Sequence, residues 1–143
     1  MASSSDAQII LKLYELRTEP TMRAARKFVS GLNPASFEEL AALQRDFGSE
    51  DNAYWRQVIS YWEMAAAFIL NDALDPDLFL DTNNENFFYY AKFTPFLEEW
   101  RKSFGQPFMK NTAKLIESHP RMQERYTMML ARMEAQRKQA ATA

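Results

Sequence analysis

The sequence predicts an all-α protein, an irregular bundle of six to eight helices around one central apolar helix. Apolar residues recur at the three- and four-residue spacing of helical faces. Prolines, glycines and capping side chains stand where these faces begin and end. Because no segment alternates polar and apolar residues as a half-buried strand does, no sheet is expected.

A capping signal followed by a helical apolar face marks the first helix. Ser5 precedes Gln8 by three residues, which is the spacing of a capping box. The next apolar residues on one face are Ile9, Leu13 and Leu16. We expect a helix over about residues 6–18 after a disordered start at residues 1–5.

Proline and glycine mark the next two helices. Pro20 suits the first turn of a second helix, over about 20–30, and Gly31 is expected to end it in the left-handed conformation. The third helix has apolar residues at helical spacing: Phe37, Leu40, Leu43 and Phe47. Gly48 is its expected terminator.

The central helix is predicted at about residues 51–71. It contains neither glycine nor proline, and apolar residues lie nearly all round it, as in a buried helix. Its predicted core residues are Trp55, Ile59, Trp62, Ala66 and Ile69, with Val58 and Phe68 alongside.

Prolines begin most of the later elements. Pro76 opens a short helix, Pro95 either kinks a helix or begins another, and Pro107 begins a further one. The last helix starts at Pro120 and is expected to fray in the tail at 139–143.

Composition limits the functional classes. The 143 residues favour a single domain, 1–143, and contain no cysteine, which excludes disulfides, cysteine-ligated zinc and thiol nucleophiles. The three glycines are scattered, so no phosphate-binding glycine loop is present. A net charge of −2 gives no general attraction to nucleic acid or anionic membrane. We expect a cytoplasmic protein without membrane insertion.

No metal or cofactor site is predicted. His119 is the only histidine, so it cannot form a multi-histidine site, and helix capping or exposure is its expected role. A calcium loop starting at Asp75 has Phe79 and Leu80 where an EF-hand requires a ligand and a glycine. A loop starting at Asp81 has Asn86 at the glycine position and Lys92 at the position of the bidentate glutamate. The acidic residues around them are expected to cap and solvate short helices.

Glu63 is the most unusual charged residue because it stands in the most apolar helix, after Tyr61 and Trp62. A buried carboxylate is costly unless it is paired or hydrogen-bonded. We expect Glu63 to be at least half buried, in a structural ion pair or a hydroxyl contact. The alternative is a general acid or ligand-anchoring group in a core pocket.

The last helix contains an apolar seam with spacings of four, three and four: Met122, Tyr126, Met129 and Met133. Such a seam fits a two-helix interface, and methionine tolerates imperfect complementarity. It either packs on its own domain or forms the contact of a homodimer or another protein partner. We expect a two-fold dimer, the commonest soluble oligomer.

Nucleic-acid binding is a further hypothesis for the function. Arg23, Arg26 and Lys27 on the second helix faintly resemble the start of a helix-turn-helix. However, the third helix, where base-reading side chains should stand, contains Glu38 and Glu39.

Several segments resemble a family of small all-helical bacterial proteins that is catalogued as a domain of unknown function. They are an aromatic–Glu–hydrophobic helix at 61–70, an acidic step at 74–79, Trp100-Arg101 and the Gly–x–Pro at 105–107. The resemblance covers about residues 51–118. It implies a helical fold and supplies no activity.

These observations favour a non-enzymatic interaction or self-associating module of bacterial origin. The alternative is a small-molecule binder or enzyme with a core pocket at Glu63. A nucleic-acid-binding regulator is the second alternative.

Overall fold

The computed structural model describes residues 1–142, in which every regular element is a helix. This part of the chain has eight α-helices of eight residues or more, one shorter α-helix and one 3-10 turn. They are α1 (Ser4–Thr18), α2 (Pro20–Ser30), α3 (Phe37–Arg45), α4 (Glu50–Leu70), α5 (Pro76–Thr82), α6 (Glu85–Phe93), the 3-10 turn (Thr94–Phe96), α7 (Leu97–Phe104), α8 (Lys110–Ser118) and α9 (Pro120–Thr142). The predicted all-α class is confirmed.

The helices form two compact units. The first is Met1–Thr82, with α1 to α5, and the second starts at Asn83 and contains α6 to α9. A single domain over 1–143 stays a prediction, and the units are described separately below.

Both ends of the chain are more regular than expected. Residues 4 and 5, predicted to be disordered, belong to α1. The cap is Ser3 rather than Ser5, because the Ser3 hydroxyl accepts from the Asp6 N–H and the Asp6 carboxylate accepts from the Ser3 N–H. At the other end α9 continues through residues 139–142, where fraying was expected. Ala143 lies outside the described residues.

The core of the first unit is built on α4, which packs against α2 and α3. Most of the predicted core residues are buried: Trp55, Val58, Trp62, Ala66 and Ile69. Ile59 and Phe68 are partly exposed instead. The helix predicted to be central is therefore the buried helix of its unit.

Two predicted helix ends differ from the structure. Gly31 ends α2 with φ −84° and ψ −7°, in the right-handed region, so the left-handed prediction is wrong. Its N–H donates to the carbonyls of Lys27 and Phe28, which closes the helix without a reversal of φ. α3 ends at Arg45, and Phe47, predicted to lie on its apolar face, is 72% exposed.

Aromatic rings fill the second unit, where α6 packs against α8 and α9. Phe108 is their centre, with its ring centroid 4.9 Å from that of Trp100, 5.7 Å from that of Phe93 and 6.4 Å from that of Tyr90. Pro95 stands in the 3-10 turn that separates α6 from α7. Gly105 then ends α7 in the left-handed conformation, with φ 71°.

Candidate functional sites

The residues that precede Glu63 on α4 mainly stabilise the first unit. The Tyr61 hydroxyl donates to the carbonyl of Leu13 and so ties α4 to α1. Trp62 is fully buried, with edge-to-face contacts to Tyr61 at 4.8 Å and to Phe79 at 6.3 Å. Glu63 itself is partly buried. Tyr61 and Trp62, proposed as ligand-site residues, therefore serve the core of the first unit.

The apolar seam of α9 packs largely within the second unit. Met122 is fully buried, and the Tyr126 hydroxyl lies 2.9 Å from the Thr94 hydroxyl. Met129 and Met133 are partly buried. The first half of the seam is thus covered by its own unit, and only the second half has surface left for a partner.

Further along α9, a basic side chain holds the helix to α6. The Arg137 guanidinium donates to the carbonyl of Lys92 at 3.1 Å. Burial lowers the pKa of the Lys92 ammonium, and the positive charge of Arg137 lowers this pKa further. The contact anchors α9 three turns beyond Tyr126.

A second stripe, which the sequence analysis did not single out, lies on α1 and has Leu11 and Tyr14 as its large side chains. Its members follow spacings of four, three and four and are all on the side of the helix away from Leu13: Ala7, Leu11, Tyr14 and Thr18. Leu11 is 67% and Tyr14 58% exposed, whereas Leu13 is buried. We call these four residues the outer stripe of α1. Its heptad-like spacing was the signal that could have identified it.

α1 is held firmly although three of the four residues of its outer stripe are exposed and Thr18 is partly buried. Besides the bond from Tyr61 to Leu13, the Asp6 carboxylate accepts from the Asp75 N–H at 2.8 Å. The hydrogen bonds from Ser3 and then from Asp75 keep the pKa of Asp6 below its usual value. The stripe is therefore presented on an anchored helix.

Two surface cavities have room for a small ligand. The first, of about 740 Å³, lies in the first unit between the end of α2, α3 and the start of α4. Its charged lining residues are Glu39, Arg45, Asp46 and Asp51. Neither this cavity nor the second one includes Glu63 in its lining.

The second cavity, of about 450 Å³, lies in the second unit between α6, α7 and α8. Its apolar wall is made of Tyr90, Leu97, Pro107, Phe108 and Ala113. Its charged lining residues are Arg101, Lys110, Lys114, Glu98 and Glu117. We call it the α7–α8 cavity.

Two buried asparagines have contrasting surroundings. Asn52 donates to the carbonyls of Leu43 at 2.8 Å and Gln44 at 3.2 Å, and accepts from Nε of Arg56 at 2.7 Å, so it closes the end of α3. Asn86 is equally buried, but neither atom of its amide has a hydrogen-bond partner within residues 1–142. Asn52 therefore stabilises its unit, whereas Asn86 lowers the stability of its own.

Neither metal binding nor membrane insertion gains support from the helices. Within residues 1–142 no three His, Cys, Asp or Glu side chains are grouped as metal ligands would be. His119, at the end of α8, is partly buried. The predicted lack of a metal stays a prediction. In the same part of the chain no helix combines the length and apolar character needed to cross a bilayer.

Residues 1–142 therefore form an all-helical fold with an exposed helix face at Leu11 and Tyr14 and with surface cavities that include the two described above. The chain belongs to the family "Domain of unknown function (DUF4760)", whose model matches residues 2–119. This match confirms the resemblance seen in residues 51–118 and extends it to α1. The match ends just before α9 begins at Pro120. No curated protein and no solved structure matches the chain.

Proposed function

We propose that this protein is a non-enzymatic interaction module of the bacterial cytoplasm that forms a two-fold homodimer through the outer stripe of α1. The observation that carries the proposal is the exposure of Leu11 and Tyr14 on a helix that is anchored at both Asp6 and Leu13. The absence of cysteine is compatible with a reducing compartment.

The outer stripe has the pattern of a helix-packing surface. Spacings of four and three residues keep a seam facing a partner helix over several turns. If two copies of α1 pack antiparallel around a two-fold axis, Leu11 of each copy meets Tyr14 of the other, and Ala7 meets Thr18. The dipoles of antiparallel helices attract each other, and the aromatic ring adds the large contact area that is typical of interface cores.

The test is the molar mass in solution, measured by light scattering after size exclusion across micromolar concentrations. We expect twice the 16.7 kDa of one chain for the wild type. Two carboxylates within the stripe, Leu11→Glu with Tyr14→Glu, should give the mass of one chain because a buried unpaired charge opposes association.

Two controls locate the interface. Gln8→Glu with Lys12→Glu changes residues on the same helix outside the stripe and should leave the dimer intact. Met129→Glu with Met133→Glu tests the second half of the α9 seam. If this variant is monomeric and the α1 stripe variant is still dimeric, the interface lies on α9 and not on α1. A wild-type mass of one chain at all concentrations would refute self-association.

The alternative of a ligand site or enzyme at Glu63 stays a prediction. What supports it is the partial burial of Glu63 on α4. What favours the dimer over it is that Tyr61 and Trp62 belong to the core and that neither of the two cavities described above has Glu63 in its lining. Nucleic-acid binding also stays a prediction, supported by the exposure of Arg23 and Lys27 on α2.

A further inference from the structure

The α7–α8 cavity brings together three cationic side chains from two helices. Arg101 stands on α7, and Lys110 and Lys114 stand one turn apart on α8, so both lysines lie on the same side of that helix. All three are exposed, and none has an ion pair or a side-chain hydrogen bond within residues 1–142. The cavity therefore has three cations available to a ligand.

The acidic residues of the cavity only partly balance this charge. Glu98 forms an ion pair with Lys102, a residue outside the lining, at 3.0 Å. Glu117 lies in the last turn of α8, two turns beyond Lys110. With Glu98 compensated by Lys102, the three cations face a single remaining carboxylate. The excess of positive charge in the cavity lining favours the binding of an anionic group near the start of α8.

The start of α8 itself favours an anion. Met109 caps this helix without a side-chain hydrogen bond to its first turn. Methionine has no side-chain oxygen that could cap the positive end of the helix dipole. Met109 has φ 45° and ψ 57°, a left-handed conformation that is costly for a residue other than glycine. Its side chain is nevertheless buried, so packing holds this strained turn beside Phe108 and Lys110.

The lining of the cavity also contains apolar and aromatic residues. The Tyr90 and Phe108 rings lie nearly parallel, 13° apart, with their centroids separated by 6.4 Å. The Trp100 ring contacts the Phe108 ring edge-to-face, with their centroids 4.9 Å apart. A volume of about 450 Å³ lies within the range of small-molecule sites, in which an apolar wall faces a few polar groups.

We propose that the α7–α8 cavity binds small amphipathic anions, with a carboxylate, sulfonate or phosphate group at Arg101, Lys110 and Lys114 and an aromatic or aliphatic body against Tyr90 and Phe108. The site is independent of the proposed dimer, whose interface lies on α1.

Two dyes with the same aromatic body and different charge test the proposal. 1-Anilinonaphthalene-8-sulfonate is an amphipathic anion, and N-phenyl-1-naphthylamine is its neutral counterpart. We expect the anionic dye to bind the full chain saturably at one site per chain. Replacing Lys110 and Lys114 by Gln should weaken it about ten-fold, because each exposed charge contributes a modest attraction. Raising the sodium chloride concentration from 50 to 500 mM should weaken it as well.

The matched control is Lys138→Gln, which removes an exposed cation of α9 that does not line the cavity and should leave the affinity for the anionic dye within about two-fold of wild type. The neutral dye should bind the wild type and the lysine variant equally. Each variant must show the cooperative urea unfolding of the wild type, since partly unfolded chains also bind such dyes.

The proposal is refuted if the folded Lys110→Gln, Lys114→Gln variant binds the anionic dye as tightly as the wild type does. It is also refuted if Lys138→Gln weakens binding to the same extent, because a diffuse surface charge would then explain the affinity. If only the outer-stripe variant of α1 loses the dye, the dye reports on the proposed interface and not on this cavity.

Discussion

The same substitution should destabilise the protein to different extents at two buried tryptophans of α4. Trp55 and Trp62 are 1% and 0% exposed and stand two turns apart on one helix. The Nε1–H group of Trp55 donates to Oε1 of Gln44 at 2.7 Å. The Nε1–H group of Trp62 is buried without any partner in the described chain. Changing each tryptophan to Phe therefore isolates the contribution of the indole N–H group to the free energy of unfolding.

The difference between the two variants can be estimated. Trp→Phe removes a similar apolar volume at both sites, so the cost of the smaller ring roughly cancels in the comparison. At Trp55 the change also loses a hydrogen bond worth about 0.5–1.5 kcal/mol. At Trp62 it removes an unpaired donor whose burial costs about 1–3 kcal/mol. We expect Trp55→Phe to be more destabilising than Trp62→Phe by about 2–4 kcal/mol.

The assay is urea unfolding followed by circular dichroism at 222 nm, with the free energy of unfolding taken from the midpoint and slope. Trp62→Ala provides the scale, since it deletes the whole side chain and should cost about 3–5 kcal/mol. The reasoning fails if Trp62→Phe is as destabilising as Trp55→Phe. Such a result would mean that the Trp62 indole contributes a hydrogen bond in solution.

Two further predictions concern a carboxylate and a glycine. Hydrogen bonds from Ser3 and then from Asp75 lower the pKa of Asp6 in the folded protein. The ionised Asp6 carboxylate therefore stabilises the fold fully above its unfolded-state pKa of about 4. This stabilisation is lost as the pH falls through the lower folded-state pKa. Asp6→Asn should lower the urea midpoint of unfolding at pH 7, and between pH 4 and 2 this midpoint should decrease less in the variant than in the wild type. Parallel pH profiles of the midpoint for the variant and the wild type would contradict this. Gly105 has φ 71° and open space around its missing Cβ, so Gly105→Ala should cost about 1–2 kcal/mol through backbone strain alone. Gly105→Asn should cost less, because Asn tolerates the left-handed region, and equal losses for Ala and Asn in urea unfolding would count against this explanation.

The helices could be predicted from the sequence because their signals are local. Pro20, Pro76 and Pro120 each begin a helix in the structure, as proline in the first turn predicts. The buried tryptophans of α4 followed from a segment with few polar interruptions. Gly31 was assigned wrongly because glycine permits a left-handed end without requiring one.

The surfaces could not be predicted because they depend on which helix covers which face. The chain contains two stripes with spacings of four, three and four, one on α1 and one on α9. Spacing alone cannot distinguish a stripe that covers its own core from one that remains exposed. Met122 is buried, whereas Leu11 is exposed, although the sequence favoured the α9 stripe as the interface. The α7–α8 cavity likewise depends on a non-local arrangement of Arg101 and Lys114.

The two faces of α1 give a last prediction, which separates folding from association. Leu13 on the inner face is 2% exposed, so Leu13→Ala should lower the free energy of unfolding by about 2–5 kcal/mol at every protein concentration. Leu11 on the outer face is 67% exposed in a single chain, so Leu11→Ala should change the stability of a monomer by no more than about 0.5 kcal/mol. In a dimer the stability depends on protein concentration, because association adds to the free energy of folding. We therefore expect the urea midpoint of the wild type to rise with concentration and that of Leu11→Ala to rise less. If the wild-type midpoint is independent of concentration over a hundred-fold range, the outer stripe of α1 is a solvated surface and the interface does not exist.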